Sequence, residues 1–552
     1  MGDLQQIRLE VNNAFKLSGF IIRRDASAFV AEQIAPLSYQ ERQKMIDKLT
    51  AHLMRQCLSQ PVLEKQHLEV AYKECLSSGL EETETVLNVI DAFSVPKLCY
   101  DNERKKFVKD INANNNLYPE PKWKAHLLID RYTVIWQRTI RNKLFAKELL
   151  PSMESENKFQ MRKIEVLLSS SSRLDDVIVL GLLTQLTEGK YYLEDPTGSV
   201  MLDMTQTRYH SGLFTESSFV LAEGYYEDKV LNVMGLVLPP SESRATSSQY
   251  FGSLNTFGGK SKTLLKNSQS LLKIEQDNED GILVFLSDVW LDNLKVISKL
   301  KTLFSGYNEF PPIAIIFMGE FLSCPYGYEH SPQLKAALTN LGEILNQFTR
   351  LRDTCKFIFV PGRGDPAAPN ILPRPPIPNS ITEEIRNTLK DSVIFTTNPC
   401  RIQYCTQELV IIRQDLVTKI CRNSIHFPET GDIPDHLTKT LLSQCTLSPL
   451  SLGVQPVYWK HADALTLYPM PDLIVVADNF QPYTRSYQNC HVVNPGSFPH
   501  TEFSFKVYVV LYVFPMGANA TRHIMATTNS RTIGAYTPSR CFLKPENWKI
   551  NI

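Results

Sequence analysis

The sequence carries no excess of charge. Across 552 residues, 58 Lys and Arg stand against 58 Asp and Glu, for a formal net charge of 0 at pH 7. A histone-like coat or another strongly basic nucleic-acid binder needs a clear positive surplus. An acidic disordered tail protein needs the opposite one. Long apolar runs are missing too. The most apolar stretch, Val507 to Met516, is broken by Pro515 and reaches only about half of the ~20 residues that a membrane-crossing helix needs. It reads as a buried strand. Met1 to Ile7 offer acid and amide side chains where an export signal has Lys or Arg and then an apolar run. Gln6 stands where N-myristoylation requires Ser or Thr. No membrane association is expected.

Cysteine is present but unclustered. The 11 Cys residues include no C-x-x-C pair, and the nearest neighbours are Cys400 and Cys405. That spacing argues against a zinc finger or a disulfide framework, and for reduced, mostly buried thiols in a cytosolic or nuclear protein. The one N-x-T site, Asn519 to Thr521, means little without secretion. No G-x-S-x-G elbow occurs. Gly259, Lys260 and Ser261 imitate the end of a phosphate-binding loop, but Leu254 occupies the position of its first Gly. No cofactor is expected.

What remains is an ordinary globular composition, 43% apolar and 21% charged. At roughly 150 residues per domain, the length suggests three or four domains. The pattern reads as a multidomain α+β chain. Residues 1–95 read as a helical module. Leu4, Ile7 and Val11 share a helical face, followed by Phe15 and a stop near Gly19. Asp25 is placed to cap a second helix carrying Phe29 and Val30. Ser38 and Glu41 form a capping box before Met45, Ile46, Leu49 and Leu53. Further helices are expected over Val62 to Cys75 and Glu81 to Phe93.

Residues 96–160 read as a connecting segment with one helix from about Lys124 to Phe145, bearing Leu128, Tyr132, Ile135 and Trp136. Residues 161–240 change to short strands with hairpin turns, which suits a small closed barrel of OB type. Residues 241–280 are rich in Ser, Gly, Asn and Lys and read as a flexible linker or long loop. From 281 to 508 strands and helices alternate, the mark of an α/β sheet. Within that region Pro373 to Pro376 gives a P-x-x-P pattern, read as a structured surface loop rather than a polyproline ligand. Residues 509–552 show no clear period and form an atypical tail.

The barrel is a weak candidate for single-stranded DNA. Tyr191, Tyr192, Tyr225 and Tyr226 could stack bases. From Gln160 to Pro240, however, six basic residues face 11 acidic ones, and phosphate binding needs the opposite balance. A protein-binding or purely packed barrel is favoured. Arg244, Lys260, Lys262 and Lys266 leave room for a weak DNA contact.

The α/β region resembles the calcineurin-like metallophosphoesterases, whose ligands follow the strands as D-x-H, G-D-x-x-D, G-N-H-D/E, a lone His and G-H-x-H. In that family these groups hold two metal ions that clamp a phosphate. Here the first motif reads Asp288-Val289-Trp290. The second reads Gly319-Glu320-Phe321-Leu322-Ser323, and the third Gly362-Arg363-Gly364-Asp365. After Val476 the chain gives Ala477, Asp478 and Asn479. Two divalent ions need several carboxylates and neutral imidazoles. Trp290 cannot ligate, Ser323 replaces a bridging carboxylate, and Arg363 would repel a cation. Asp288, Glu320 and Asp365 are what remains. The expectation is a sandwich with a degenerate metal site, with no catalytic and no metal-binding residues. The alternative is an active metal-dependent phosphoesterase or nuclease resting on those three acids.

An OB barrel followed by a stripped phosphoesterase region resembles the B subunits of the eukaryotic replicative DNA polymerases. Tyr192 to Gly198 (YLEDPTG), Phe219 to Gly224 (FVLAEG) and Val284 to Asp292 (VFLSDVWLD) are similar to the polymerase epsilon branch of that family. So are Ile371 to Pro376, Phe395 to Cys405 and Val493 to Phe498. The resemblance runs to about Tyr508. It implies an N-terminal module like the helical lid of AAA+ ATPases, and a non-catalytic scaffold binding the Cys-rich C-terminal region of the catalytic subunit. It further implies a link through the N-terminal helices to the GINS part of the replicative helicase, and indirect association with the small histone-fold subunits. DNA contact would be weak or made within the complex. Nuclear location is implied by the family; Arg104, Lys105 and Lys106 are only a short basic cluster.

Overall fold

The structure is a computed structural model. It describes residues 2–35 without 18, and 42–71 without 44, 48, 51, 52, 54–61, 66 and 70. It continues over 84–110 without 102 and 104, 116–146, and 159–324 without 253, 262, 279 and 280. The remainder is 329–513 without 367, and 520–529; at 2–4, 267, 509–513 and 520–529 only the backbone is described. The chain divides into two units, 1–85 with 252–255 and 260–271, and the remainder.

In the first unit, α1 (Gly2–Leu17) turns the Ile7, Val11 and Phe15 stripe inward, all three being at most 4% exposed. It ends before Gly19, whose φ of 83° favours a residue without Cβ. Next come β1 (Ile21–Ile22) and α2 (Arg24–Ile34). The N-cap of α2 is Arg23, without a side-chain cap; Asp25 lies in the first turn instead. Ile46, Leu49 and Leu53 join the same core. The expected capping box at Ser38 and Glu41 lies outside the described residues. Val62 and Leu63 do not begin a helix. They form β2 (Val62–Leu63), parallel to β1, so Val62 pairs with Ile21. β-branched side chains suit that extended pairing.

The second unit opens with a departure from the sequence reading. Leu87 to Asp91, expected as helix, is β3 (Leu87–Asp91). Its backbone pairs in register with a strand more than 300 residues later, from Leu87 opposite Tyr404 to Asp91 opposite Cys400. A long-range ladder outweighs local helix preference there. The hairpin β4 (Leu98–Asp101) and β5 (Lys106–Lys109) follows, then α3 (Lys122–Arg141).

The barrel comprises β6 (Met161–Arg162), β7 (Leu174–Thr187), β8 (Lys190–Asp195), β9 (Gly198–Asp203), β10 (Arg208–Tyr209), β12 (Phe219–Glu227) and β13 (Val230–Val237). The short β11 (Phe214–Thr215) lies outside that sheet. The order runs β10-β13-β12-β7-β8-β9, and β13 also pairs with β9, which closes the sheet. Alternate residues such as Val177, Val179, Leu193, Val220 and Leu231 fill its interior. The register shifts between Glu223 and Gly224, and a Cβ on Gly224 would lie 1.9 Å from the Asn232 carbonyl oxygen. Only glycine permits that approach.

The stretch 241–280 is not a free linker. It contains α4 (Arg244–Phe251), and its Phe251, Phe257 and Glu275 are buried. Arg244 donates to Glu408 and Asp472, each at 2.6 Å, so it is fixed in the interior rather than offered to DNA. Lys262 lies outside the described residues.

The remaining strands are β14 (Ile282–Ser287), β15 (Ala314–Met318), β16 (Lys356–Val360), β17 (Val393–Phe395), β18 (Cys400–Tyr404) and β19 (Gln407–Arg413). They continue with β20 (Ser424–His426), β21 (Leu473–Ala477), β22 (Tyr483–Tyr487), β23 (Cys490–Asn494), β24 (Ser504–Val513) and β25 (Ala520–Asn529). One sheet has the order β17-β16-β15-β14-β24-β25, and a second has β22-β23-β21-β19-β18-β3. Helices α5 (Leu294–Glu309), α6 (His330–Asn346) and α7 (Asn379–Leu389) share one core with the first sheet. α8 (Ile433–Gln444) shares another with the second. Full burial of each large apolar side chain in such cores contributes about 1.5–3 kcal/mol. β24 runs straight through position 508, so that position is not a boundary between a domain and a tail. The loop at Pro373 is structured, with Leu372 and Arg374 at 2% and 3% exposure. Among the described residues no helix is long and apolar enough to cross a membrane.

Candidate functional site

In α/β sheets the carboxyl ends of the strands gather functional side chains, because the connecting loops diverge there. β14, β15, β16, β19 and β21 all deliver charged or polar residues to such ends. Asp288 follows β14, Glu320 follows β15, and Gly362 to Asp365 follow β16. From the second sheet come Arg413 at the end of β19, and Asp478 and Asn479 after β21.

The centre of this site is a guanidinium. Arg413 Nη2 and Nε donate to Asp288 Oδ1 at 2.7 and 2.9 Å. Arg413 Nη1 donates to Asp415 Oδ1 at 2.8 Å and to the Ala477 carbonyl at 3.2 Å. Asn479 Oδ1 accepts from Nη2 at 3.3 Å. Arg413 and Asp288 are each 2% exposed. Asn398 fixes the backbone of Arg413, accepting from its N–H at 3.0 Å and donating to its carbonyl at 2.7 Å. The two carboxylates raise the Arg413 affinity for its proton and outweigh the cost of burial.

The other expected acids are held by backbone donors. Asp365 accepts from Phe321 N–H at 3.0 Å and Gly362 N–H at 2.7 Å. Burial still pushes its carboxyl up to about 6. Arg374 donates to the Asp365 and Arg363 carbonyls and pins that loop. Glu320 Oε1 accepts from Gly364 N–H at 3.1 Å, and its own N–H reaches Asp288 Oδ1 at 3.3 Å. Burial raises the Glu320 carboxyl. The loops approach closely because Gly319 faces Asp365 and Gly362; a Cβ there would lie 2.0 Å from Asp365 Oδ2.

The structure thus brings Asp288, Glu320 and Asp365 into one buried network, and leaves three expected positions aside. Trp290 packs edge-on against His500, with ring centroids 5.0 Å apart. Ser323 Oγ and N–H bind Asp292. Arg363 is exposed, so the cation inside the site is not the one its motif position suggested. Sequence reasoning missed Arg413, Asp415, Arg374 and Asn398. The available signal was an arginine ending the apolar run Leu409 to Ile412. Among the described residues no cluster of three or more His, Cys, Asp or Glu side chains is arranged to hold a metal ion. In the barrel, Tyr226 is a core residue at 2% exposure, and the Arg173 guanidinium covers Tyr225 at 4.3 Å. Tyr226 is thus enclosed, and one face of Tyr225 is already occupied.

Three family profiles match along the chain. They describe the N terminal of DNA polymerases epsilon (residues 3–75), the OB-fold domain of DNA polymerase epsilon subunit 2-like proteins (121–240) and the B subunit of DNA polymerases alpha and epsilon (283–485). DNA polymerase epsilon subunit 2 from Homo sapiens is 45% identical over 510 residues, covering 91% of this chain and 97% of the relative. The chain belongs to the DNA polymerase epsilon subunit 2 family. The Drosophila melanogaster relative is 42% identical over 512 residues, with 92% and 96% covered. The polymerase epsilon B subunit from Saccharomyces cerevisiae is 26% identical over 501 residues, with 75% and 72% covered. Family members are accessory subunits of a replicative DNA polymerase, and such a subunit works in a complex with the catalytic one. The OB-fold profile begins at 121, so it takes in α3 as well as the strands expected from 161 onward.

Proposed function

We propose that this chain is a non-catalytic scaffold of DNA polymerase epsilon in the nucleus, with a phosphoesterase-like sandwich whose metal centre has been replaced. It holds the Cys-rich C-terminal region of the catalytic subunit. Its N-terminal helices link that subunit to the GINS part of the replicative helicase, and the small histone-fold subunits join indirectly. The barrel contributes protein contacts, and DNA is touched weakly or within the complex.

The observation that carries the non-catalytic reading is Arg413. A hydrolytic two-metal centre needs carboxylates and imidazoles free to face cations. Here Asp288 and Asp415 are taken by a guanidinium that cannot leave. Asp365 and Glu320 are taken by backbone N–H groups.

The test is co-expression with the C-terminal region of the catalytic subunit, followed by gel filtration. One peak holding both chains is expected, and two peaks of well-folded separate chains would count against the scaffold. The same preparation is assayed with Mn²⁺ and a phosphodiester substrate. Hydrolysis abolished by Asp288→Ala would overturn the non-catalytic assignment.

A further inference from the structure

One face of α8 holds the barrel through its backbone. Gly212 N–H donates to His436 Nδ1 at 2.9 Å, and Leu213 N–H donates to Thr440 Oγ1 at 2.8 Å. Lys439 Nζ donates to Ser211 Oγ. One turn further on, Gln444 accepts from Phe219 N–H and donates to the Phe219 carbonyl, both at 2.7 Å. Positions 436, 440 and 444 repeat at the helical spacing of four, so one stripe binds both the loop 211–213 and the start of β12.

His436 differs from the rest of that stripe because its bonding depends on a proton. Its ring is 7% exposed and engaged at both nitrogens. Nδ1 accepts from Gly212, so the ring proton sits on Nε2, which donates to the Thr430 carbonyl at 2.7 Å. The backbone closes on the ring at two glycines. A Cβ on Gly431, where φ is 88°, would lie 2.9 Å from Nε2, and one on Gly212, where φ is 143°, would clash with Leu238. The enclosure therefore suits the neutral imidazole. A proton added at Nδ1 turns the acceptor into a donor that faces the Gly212 N–H, and leaves buried donors without a partner.

The groups around the ring leave imidazole as the part that titrates near neutrality. Asp435 and Lys439 lie on α8, and Arg485 of β22 holds Asp435 at 2.6 Å and Asp432 at 3.0 Å. Arg208 and His210 from the barrel side, with His426 and Glu429 from β20 and the turn after it, line the same cleft of about 820 Å³ as His436. Lysine, arginine and carboxylate groups ordinarily keep their charge between about pH 8 and 5, where imidazole changes its own. His210 is exposed. His426 stacks on Tyr209 with ring centroids 4.1 Å apart, a contact that a charged imidazole keeps.

We propose that His436 is a proton-sensitive latch: neutral, it holds the loop 211–213 on α8, and a second ring proton releases that loop while Gln444 keeps β12 in place. The latched form binds fewer protons than the released one, so acid favours release. This goes beyond the scaffold reading, which stands whether or not the latch opens.

The test is hydrogen exchange on the full chain at pH 7.5 and pH 5.5, read by mass spectrometry with backbone fragmentation and with labelling times scaled to equal intrinsic exchange. Protection at Gly212 and Leu213 should fall by about 10-fold at the lower pH, the usual effect of turning a hydrogen bond into a buried unpaired donor. Phe219 should keep its protection. His436→Asn offers an acceptor but takes up no proton, so its loop should show no pH response. His426→Phe keeps the ring stack without the second imidazole and should respond as the unmodified chain does. Equal protection of the loop at both pH values in the unmodified chain would overturn the proposal, and this comparison decides even if His436→Asn does not fold. A pH response that survives in His436→Asn, or one that is lost in His426→Phe, would overturn it too. So would loss at Phe219 in step with Gly212, because the barrel would then be loosening as a whole.

Discussion

Arg413 and Asp288 form a buried ion pair across the ends of the two sheets, with Nη2 donating to Oδ1 at 2.7 Å and both side chains at most 3% exposed. The pair joins β19 to the residue just after β14. A buried pair adds little net stability over apolar packing, but breaking it leaves an uncompensated charge. Arg413→Ala is therefore expected to destabilise the fold by about 3–5 kcal/mol. The double variant Arg413→Met with Asp288→Leu should recover much of that loss. Urea unfolding of the single and double variants checks this; equal destabilisation in both would contradict it.

The same pair predicts how the protein responds to metal. A ligand that binds only the native state raises the melting temperature with concentration. With Arg413 in place, millimolar Mn²⁺ or EDTA should shift the melting temperature by no more than about 1 °C. In Arg413→Ala the freed carboxylates of Asp288 and Asp415 should make Mn²⁺ stabilising. Differential scanning fluorimetry reads both, and a Mn²⁺-dependent rise in the unmodified chain would refute the expectation.

Much of this centre was visible in the sequence, and its key residue was not. Asp288, Glu320 and Asp365 were legible because each stands in the loop after an apolar run, at a position matching a metallophosphoesterase motif. Arg413 ends an equally clear strand, but nothing local says that it turns inward to Asp288, 125 residues earlier. β3 failed for the same reason. Its residues carry a helix-compatible pattern, and only the distant β18 ladder makes them extended. The segment 241–280 reads as linker by composition, yet the partners of Arg244 lie in Glu408 and Asp472. That short strands fill 161–240, and that strands alternate with helices beyond 281, was legible because alternation and turn chemistry are local signals.

Asp365 gives a pH dependence with a definite sign. Its folded value, about 6, lies above the ordinary carboxylate value near 3.9. Between those limits the native state binds more protons than the unfolded one, so this group adds stability as pH falls from about 6 towards 4. The slope limit is about 1.4 kcal/mol per pH unit. Comparing melting temperatures at pH 7 and pH 5, the chain should gain on Asp365→Asn as pH falls. Parallel profiles would show that this carboxyl does not titrate there.

Arg244 tests whether 241–280 is built into the body. Its two ion pairs at 2.6 Å are almost fully enclosed, with side-chain exposures of 12% for Arg244, 4% for Glu408 and 12% for Asp472. Arg244→Ala leaves two buried carboxylates facing each other and should cost about 3–5 kcal/mol. Limited trypsin digestion should then cut within 241–280, where the unmodified chain resists. Equal cleavage in both would mean that the segment behaves as a linker.

Gly224 tests the closure of the barrel. At the bulge in β12 a Cβ would meet the Asn232 carbonyl oxygen at 1.9 Å and the Asn232 carbonyl carbon at 2.9 Å. Both are backbone atoms of the paired β13, so no side chain can swing away to relieve the contact. The strands must separate or the register must slip, and a one-residue slip would turn Val233 and Leu231 out of the core they now fill. Gly224→Ala is expected to cost about 1–3 kcal/mol, the usual range for overpacking, and more if the bulge is lost. Hydrogen exchange should localise the effect to β12 and β13. Gly189→Ala is the control, because its turn has no heavy atom within 4 Å of a new Cβ. That variant is strained only by its φ of 76° and should cost about 1 kcal/mol. If both variants unfold alike, the close approach at Gly224 is not what holds the barrel in register.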